Sequence, residues 1–363
     1  MNILVLGGTG AMGIHLVKIL SDVGHKVVVT SRENHKDTDT VSYVKGNAHD
    51  NKFMKQVLAE KDYDAVVDFM SYKTDEFKDK YYILLDNTQQ YVYLSSARVF
   101  ADSLTPIVES SPRLLDVCTD KEYISTDEYA LTKARQENLL LESGKNNWTI
   151  IRPYITYSEN RLQLGVLEKE SWLYRALHGR TILFSQDIAS HTTTMTYGYD
   201  VARGIASIIG KESAFGESFN ITGEESIRWI DLLKVYLDEI EEFSGTRPKV
   251  KIIQTARNVN RGMAKYQVIY DRYYDRTFDN QKIGQYIDIR SFVNLHEGVR
   301  RCVEHLCANH NFKAISLRNE FDYNEITHEN ISLKELLQTG GYKGALKYGM
   351  MKILPNTIKR NIR

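Results

Sequence analysis

Apolar residues in the first half of the chain fall into short unbroken runs, separated by stretches in which they recur every three or four positions. The first run, residues 3–6, suits a parallel strand covered on both faces, and Ile14, Val17, Leu20 and Val23 follow at helical spacing. Gly24 closes that helix. Runs at 27–30, 41–44, 65–69, 91–94 and 148–151 predict five more strands, with helices over 52–59 and 127–142. Residues 101–125, which include Pro106 and Pro112, read as a long loop beside a cleft. Beyond Pro153 the pattern breaks into shorter pieces: strands at 194–196, 219–221 and 249–253, a helix capped by Asp200 and running to Ile209, and a helix over 230–240.

Between the first strand and its helix stand Gly7, Gly10 and Gly13, with Thr9, Ala11 and Met12 among them. The first glycine permits a tight turn, the second lets backbone amides approach a pyrophosphate, and the third allows close packing of helix on sheet. A diphosphate on the helix N-terminus meets unpaired N–H groups and the positive end of the helix dipole. Placed between a strand and an amphipathic helix, this triplet predicts a dinucleotide site. The expected fold is therefore α/β, a doubly wound Rossmann parallel sheet with a smaller C-terminal substrate-binding subdomain. The cofactor-binding part covers residues 1–152, with 192–222 returning to it. The subdomain covers 153–308, and 309–363 is an extension, basic at its end.

The chain has 363 residues, enough for one large domain with an appendage and an ample core. Cys118, Cys302 and Cys307 form no paired pattern, which fits a reducing cytoplasm. Cys302 and Cys307, with His305 between them, lie five apart on a predicted helix and face different sides, so no metal site is expected. With no leader-like opening and no run able to span a bilayer, a soluble cytoplasmic protein is expected. Lys+Arg and Asp+Glu balance at 47 each, but the last 22 residues hold six basic groups and no acid. The rest of the chain is thus net acidic, and no nucleic-acid partner is expected. In the basic end, lysines alternate with Ala345, Leu346, Met350, Met351, Ile353 and Leu354. Two readings of that segment stand: packing on the body or on a partner subunit, and weak contact with an anionic membrane surface.

The fifth run leads into Ser95-Ser96-Ala97, and 33 residues after Ser96 comes Tyr129-Ala130-Leu131-Thr132-Lys133. With the glycine turn before them and Arg152-Pro153 after, the chain resembles the extended short-chain dehydrogenases/reductases, in the epimerase/dehydratase group typified by UDP-galactose 4-epimerase. Tyr199-Asp200-Val201-Ala202, Phe219-Asn220-Ile221-Thr222-Gly223 and residues 279–298 also resemble that group, so the likeness covers roughly residues 1–308. Tyr129 and Lys133 stand four apart on a helix and share a face. A phenol ordinarily ionises near pH ~10, but a nearby ammonium and an oxidised nicotinamide both favour the phenolate. Tyr129 then exchanges the proton of a substrate hydroxyl while hydride moves to or from the nicotinamide, and Ser96 hydrogen-bonds the same oxygen. The resemblance also assigns Lys133 to the nicotinamide ribose. A second Tyr-x-x-x-Lys, Tyr348 and Lys352, follows no serine-ended strand and is expected to be accidental.

The same resemblance places Asn47 and Ala48 by the adenine, Phe69, Met70 and Ser71 along the cofactor, and Pro153 by the nicotinamide; ordinary packing at the sheet edge suits these positions equally. Arg98 and Tyr154 are expected at the substrate, Arg98 meeting a phosphate or carboxylate or else a surface ion pair. Relatives that prefer NAD carry an acid where Ser31 stands. Ser31 followed by Arg32 suits NADP, with NAD the alternative because Glu33 lies within reach of the ribose. Thr-Asp-Glu in the 4,6-dehydratases corresponds to Ser95-Ser96-Ala97 here, which disfavours that reaction. Ile155 replaces a substrate-contacting asparagine of the 4-epimerases. The expected activity is that of an NAD(P)-dependent sugar or nucleotide-sugar reductase or epimerase, and the resemblance allows a homodimer. The contrasting reading is a catalytically idle binding or regulatory protein of this fold, such as an RNA-binding relative.

Overall fold

The computed structural model describes residues 1–310, 312 and 314–354. Strands β1 (Asn2–Leu6), β2 (Lys26–Ser31), β3 (Val41–Lys45), β4 (Tyr63–Asp68), β5 (Thr88–Leu94) and β6 (Trp148–Arg152) lie parallel in one sheet. The strand Glu217–Asn220 joins them in parallel beside β6, so the spatial order runs from it through β6, β5, β4, β1 and β2 to β3. All six strands predicted before Pro153 form, most of them one or two residues longer than expected.

The unbroken apolar runs follow from burial on both faces. Ile3 and Val5 pack with Leu16, Val17 and Leu20 of helix α1 (Gly13–Asp22), while Leu4 and Leu6 point to the opposite layer, among Met54, Val57 and Phe77. The helix Gly198–Ile208 covers the first layer, burying Val201, Ile205 and Ile208 there. Chain order reverses between β1 and β4, and at such a reversal a crevice opens at the carboxyl ends of the strands.

Three expectations are corrected. Residues 194–196 do not form one strand: Thr192–Thr194 pairs antiparallel with Ser226–Arg228, and Thr196–Tyr197 pairs parallel with Thr156–Tyr157, so the chain changes partners at buried Met195. Asp200 does not cap its helix, which begins at Gly198. Its carboxylate, within the first turn, accepts from the Val293 amide at 2.8 Å and from Arg203 at 3.1 Å. The stretch 101–125 is not all loop, since Leu114–Val117 and Lys121–Ile124 are single helical turns, the second capped by Asp120.

The extension docks on the body. Arg175, fully buried, donates to Glu320, Asn324 and Glu329 at 2.9 Å each, and Arg180 grips Glu335 with two bonds of 2.9 and 2.8 Å. These contacts hold the helices Leu317–Thr327 and Leu333–Ile353. Buried Tyr348 accepts from Asn324 and Lys352 donates to Asn330, so the second Tyr-x-x-x-Lys serves packing. Cys302 is buried on the helix Leu295–Asn309, with Cys307 half-buried near its end, and no group of three metal-ligating side chains occurs among the described residues. No described helix is long and apolar enough to cross a membrane.

Candidate active site

The turn after β1 is built as the glycine spacing requires. Gly7 adopts a left-handed backbone (φ +72°), and the Gly10 amide donates to its carbonyl at 3.1 Å. A Cβ on Gly13 would lie 2.6 Å from the Gly8 Cα, so only glycine lets α1 approach the turn this closely. No side chain caps α1, and its first turn holds no acid. The Ile14 and Leu16 amides donate to the Gly10 and Met12 carbonyls at 3.1 Å each, and with no acid at this end of the helix the cradle fits a dinucleotide's diphosphate.

Cavities open on both sides of this turn. One, of about 440 Å³, is lined by Gly7, Thr9, Ser31, Arg32, Glu33, His35, Asn47, Ala48 and Met70. Here the Ser31 hydroxyl is engaged, 2.9 Å from the His35 ring and accepting from the Glu33 amide at 3.1 Å. The other, of about 540 Å³, brings together Met12, Ser96, Arg98, Tyr129 and Pro153. A small cleft of about 200 Å³ behind Tyr129 holds Ser71, Thr132 and Lys133. Besides Gly10 and Gly13 within the turn itself, three expected positions stand back from these walls. Phe69 packs under Gly7, the Ala11 carbonyl abuts Gly198, and Tyr154 is buried with its hydroxyl donating to Asp271 at 3.1 Å.

Tyr129 begins the helix Tyr129–Leu141 because Glu128 caps it, accepting from the Ala130 amide at 2.8 Å. Glu128 also takes a 2.6 Å bond from Arg98, whose guanidinium lies 5.3 Å from the centre of the Tyr129 ring. Arg98 therefore makes an ion pair at the cleft mouth. Ser96, two residues past β5, caps the short turn Ala97–Val99, its hydroxyl oxygen accepting from the Arg98 amide at 3.2 Å; its own proton is left for another acceptor. Lys133, one helical turn behind Tyr129, is buried and donates to the Leu94 carbonyl at 2.7 Å. Burial pulls its ammonium down to about 8, against the opposing pull of the Asp68 and Glu137 carboxylates.

Two buried carboxylates brace this arrangement. Asp68, at the end of β4, accepts from the Met70 amide and the Tyr91 hydroxyl at 2.9 Å each. Glu137 ties its helix to β6 through Arg152 (2.8 Å twice) and to β5 through Ser95 (2.5 Å). Neither role is visible in a motif. The far wall of the 540 Å³ cavity was also missed by sequence reasoning: Arg161, Gln163, Glu168, Gln267, Arg272 and Asn319 line it, the last from the extension. The dense charge of residues 271–276 was the one available signal for that wall. A larger groove of about 860 Å³ lies against the Val250–Ile253 strand; its charged lining residues, Arg261 and Asp322, pair with each other at 2.8 Å.

Residues 3–222 match the NAD dependent epimerase/dehydratase family, and the chain belongs to it. The chloroplast stem-loop binding protein of 41 kDa b from Arabidopsis thaliana is 27% identical over 251 residues, 64% of this chain and 61% of that protein. The chain thus spans about three fifths of the length of the curated relatives it matches, 61% and 64% of theirs. Among solved structures, dTDP-glucose 4,6-dehydratase from Bacillus anthracis, in complex with NAD, superposes with a TM-score of 0.65 at 16% identity, covering 85% of this chain and 97% of that one. UDP-glucose 4-epimerase from Bifidobacterium longum, in complex with NAD+ and UDP, gives 0.65 at 18% identity, covering 86% and 99%. At these identities the likeness is one of fold.

Proposed function

We propose that the protein is an NAD(P)-dependent reductase or epimerase of a sugar or nucleotide-sugar. The observation that carries this reading is the meeting of Ser96 and Tyr129 in one cavity with Met12 of the glycine turn, with Lys133 a helical turn behind. Gly7, Gly10, Gly13 and the N-terminus of α1 would hold the cofactor's diphosphate, and Lys133 its nicotinamide ribose. When bound, the nicotinamide supplies or accepts the hydride. Tyr129 takes the proton from, or returns it to, the substrate hydroxyl at its phenolic oxygen, while Ser96 donates to that same oxygen and fixes its position. Arg98, Arg161 and Arg272 stand on the cavity wall paired with Glu128, Glu168 and Asp271, and would meet the anionic groups of a nucleoside diphosphate sugar only by exchanging those partners. The test is to denature the purified protein, identify any released nicotinamide nucleotide, and screen nucleotide-sugars by mass spectrometry. Absence of both cofactor binding and conversion overturns the reading.

The same reading includes a preference for NADP. Ser31 offers no carboxylate to repel a 2′-phosphate, and Arg32 lines the cavity beside it. Arg32→Ala is expected to weaken NADP binding about tenfold, the scale of one charge-assisted contact, and to leave NAD nearly unchanged in titration calorimetry. Tighter NAD than NADP binding by the parent protein rejects the preference.

One observation favours a second reading, a nucleic-acid-binding protein: the name of the Arabidopsis relative. The net-acidic body stands against it, since phosphate-backbone binding draws on clustered Lys and Arg. Steep loss of RNA binding with salt, in a protein that converts no nucleotide-sugar, would support it.

A further inference from the structure

The terminal helix resolves into two faces. Gly341 interrupts the helix Leu333–Ile353 (φ +59°, ψ −168°), so the stretch 342–353 leaves in a new direction. Tyr348 and Met351 face inward and are buried with Phe321, Ile331 and Leu336. Tyr342, Leu346, Met350 and Ile353, spaced four, four and three residues apart, fall on the other face. They are 86%, 68%, 44% and 86% exposed. Four large apolar side chains on one helical face, with no core beneath them, are an unpartnered surface rather than scattered exposure.

The charges around this stripe choose among occupants. Lys343 and Lys347 border it on one side and Lys352 on the other, all exposed, and no acid occurs from residue 342 to the end of the sequence. Lys359, Arg360 and Arg363 add to this charge in sequence and lie outside the described residues. An isologous contact with a second copy would bring these like charges together, whereas an anionic lipid surface matches both the apolar stripe and its basic flanks. The long stem of exposed Lys343 can reach the headgroup level, while Lys352 is held by Asn330. We propose that the helix 342–353 is an interfacial membrane-binding element that seats Tyr342, Leu346, Met350 and Ile353 in an anionic lipid surface. One face of the segment packs on the extension's own core, and the proposal concerns the other face alone.

Co-sedimentation of the full chain with phosphatidylcholine vesicles, with and without phosphatidylserine, tests this. Pelleting is expected with the anionic vesicles, falling as salt is raised and weak with the neutral ones. The double substitution Leu346→Glu and Ile353→Glu changes only exposed positions and is expected to reduce partitioning at least about tenfold, with circular dichroism unchanged. Lys343→Ala is expected to weaken it about fivefold on anionic vesicles, the effect of one basic residue near such a surface. Equal pelleting of parent and double variant overturns the proposal. So does light scattering in which the double substitution turns a dimer into a monomer without changing vesicle binding, which would assign the stripe to a second copy.

Discussion

Replacing Tyr129 with phenylalanine is expected to slow turnover at least about a hundredfold while the nicotinamide cofactor stays bound. The substitution keeps the ring, and with it the contact to the Arg98 guanidinium, and removes only the hydroxyl that carries the proton. Lys133→Ala is expected to lower rate and cofactor affinity together. It removes the cation beside the phenol and the proposed ribose contact, and it leaves the Leu94 carbonyl without its 2.7 Å donor. The two variants therefore differ in a measurable way, rate alone against rate and binding. Because burial has brought Lys133 to about 8, the ammonium is lost as pH rises through that value, and cofactor affinity is expected to fall there in the parent but not in Lys133→Ala. Single-turnover oxidation or reduction of a converted nucleotide-sugar, followed at the nicotinamide absorbance, reads the rate; calorimetry reads the affinity. Near-parental turnover by Tyr129→Phe with cofactor bound would falsify the mechanism.

The parts of this site that were legible in sequence are those where local chemistry leaves no choice. Residues 3–6 read as a strand because both faces are buried, and Gly13 announced itself because no other residue lets α1 come so close. Ser96 and Tyr129 were paired by the resemblance to the extended short-chain dehydrogenases/reductases, and both line one cavity. Illegible were the contacts made between distant segments. Asn319 reaches the cavity only because Arg175 and Arg180 anchor the extension, and nothing around Asn319 itself marks that. Tyr154, expected at the substrate, turns away because Asp271, more than a hundred residues on, accepts its hydroxyl. One helix start failed for the same reason. Asp200 has the chemistry of a cap, but its carboxylate is engaged by the Val293 amide and Arg203.

Glu137 supplies the second large effect, because a buried carboxylate is stable only with its partners. Burial pushes its carboxyl upward, but Arg152, Ser95 and Arg113 outweigh this and hold it below its ordinary value near 4.5. Removing Arg152 takes away both 2.8 Å bonds and leaves the charge in the core with only Ser95 and the more distant Arg113, so Arg152→Ala is expected to cost about 3 kcal/mol in denaturant unfolding. A carboxyl depressed in the folded state stabilises above its unfolded value, and that contribution is lost as pH falls through the folded one. In Arg152→Ala the folded carboxyl instead rises, so Glu137 takes up a proton that the parent's Glu137 does not. The deficit should therefore be widest at neutral pH and narrow as pH falls. Removing both charges in Arg152→Met with Glu137→Met should recover much of the loss, because no unpaired ion remains. Activity should not follow stability in that double variant. Glu137 positions the Ser95 hydroxyl next to Ser96 and joins β6 to the helix that carries Tyr129 and Lys133, and methionine reproduces the volume of this link without its direction. Stability regained with activity still low would mark the pair as a positioning device; activity regained alongside stability would reduce it to a buried ion pair that only fills the core.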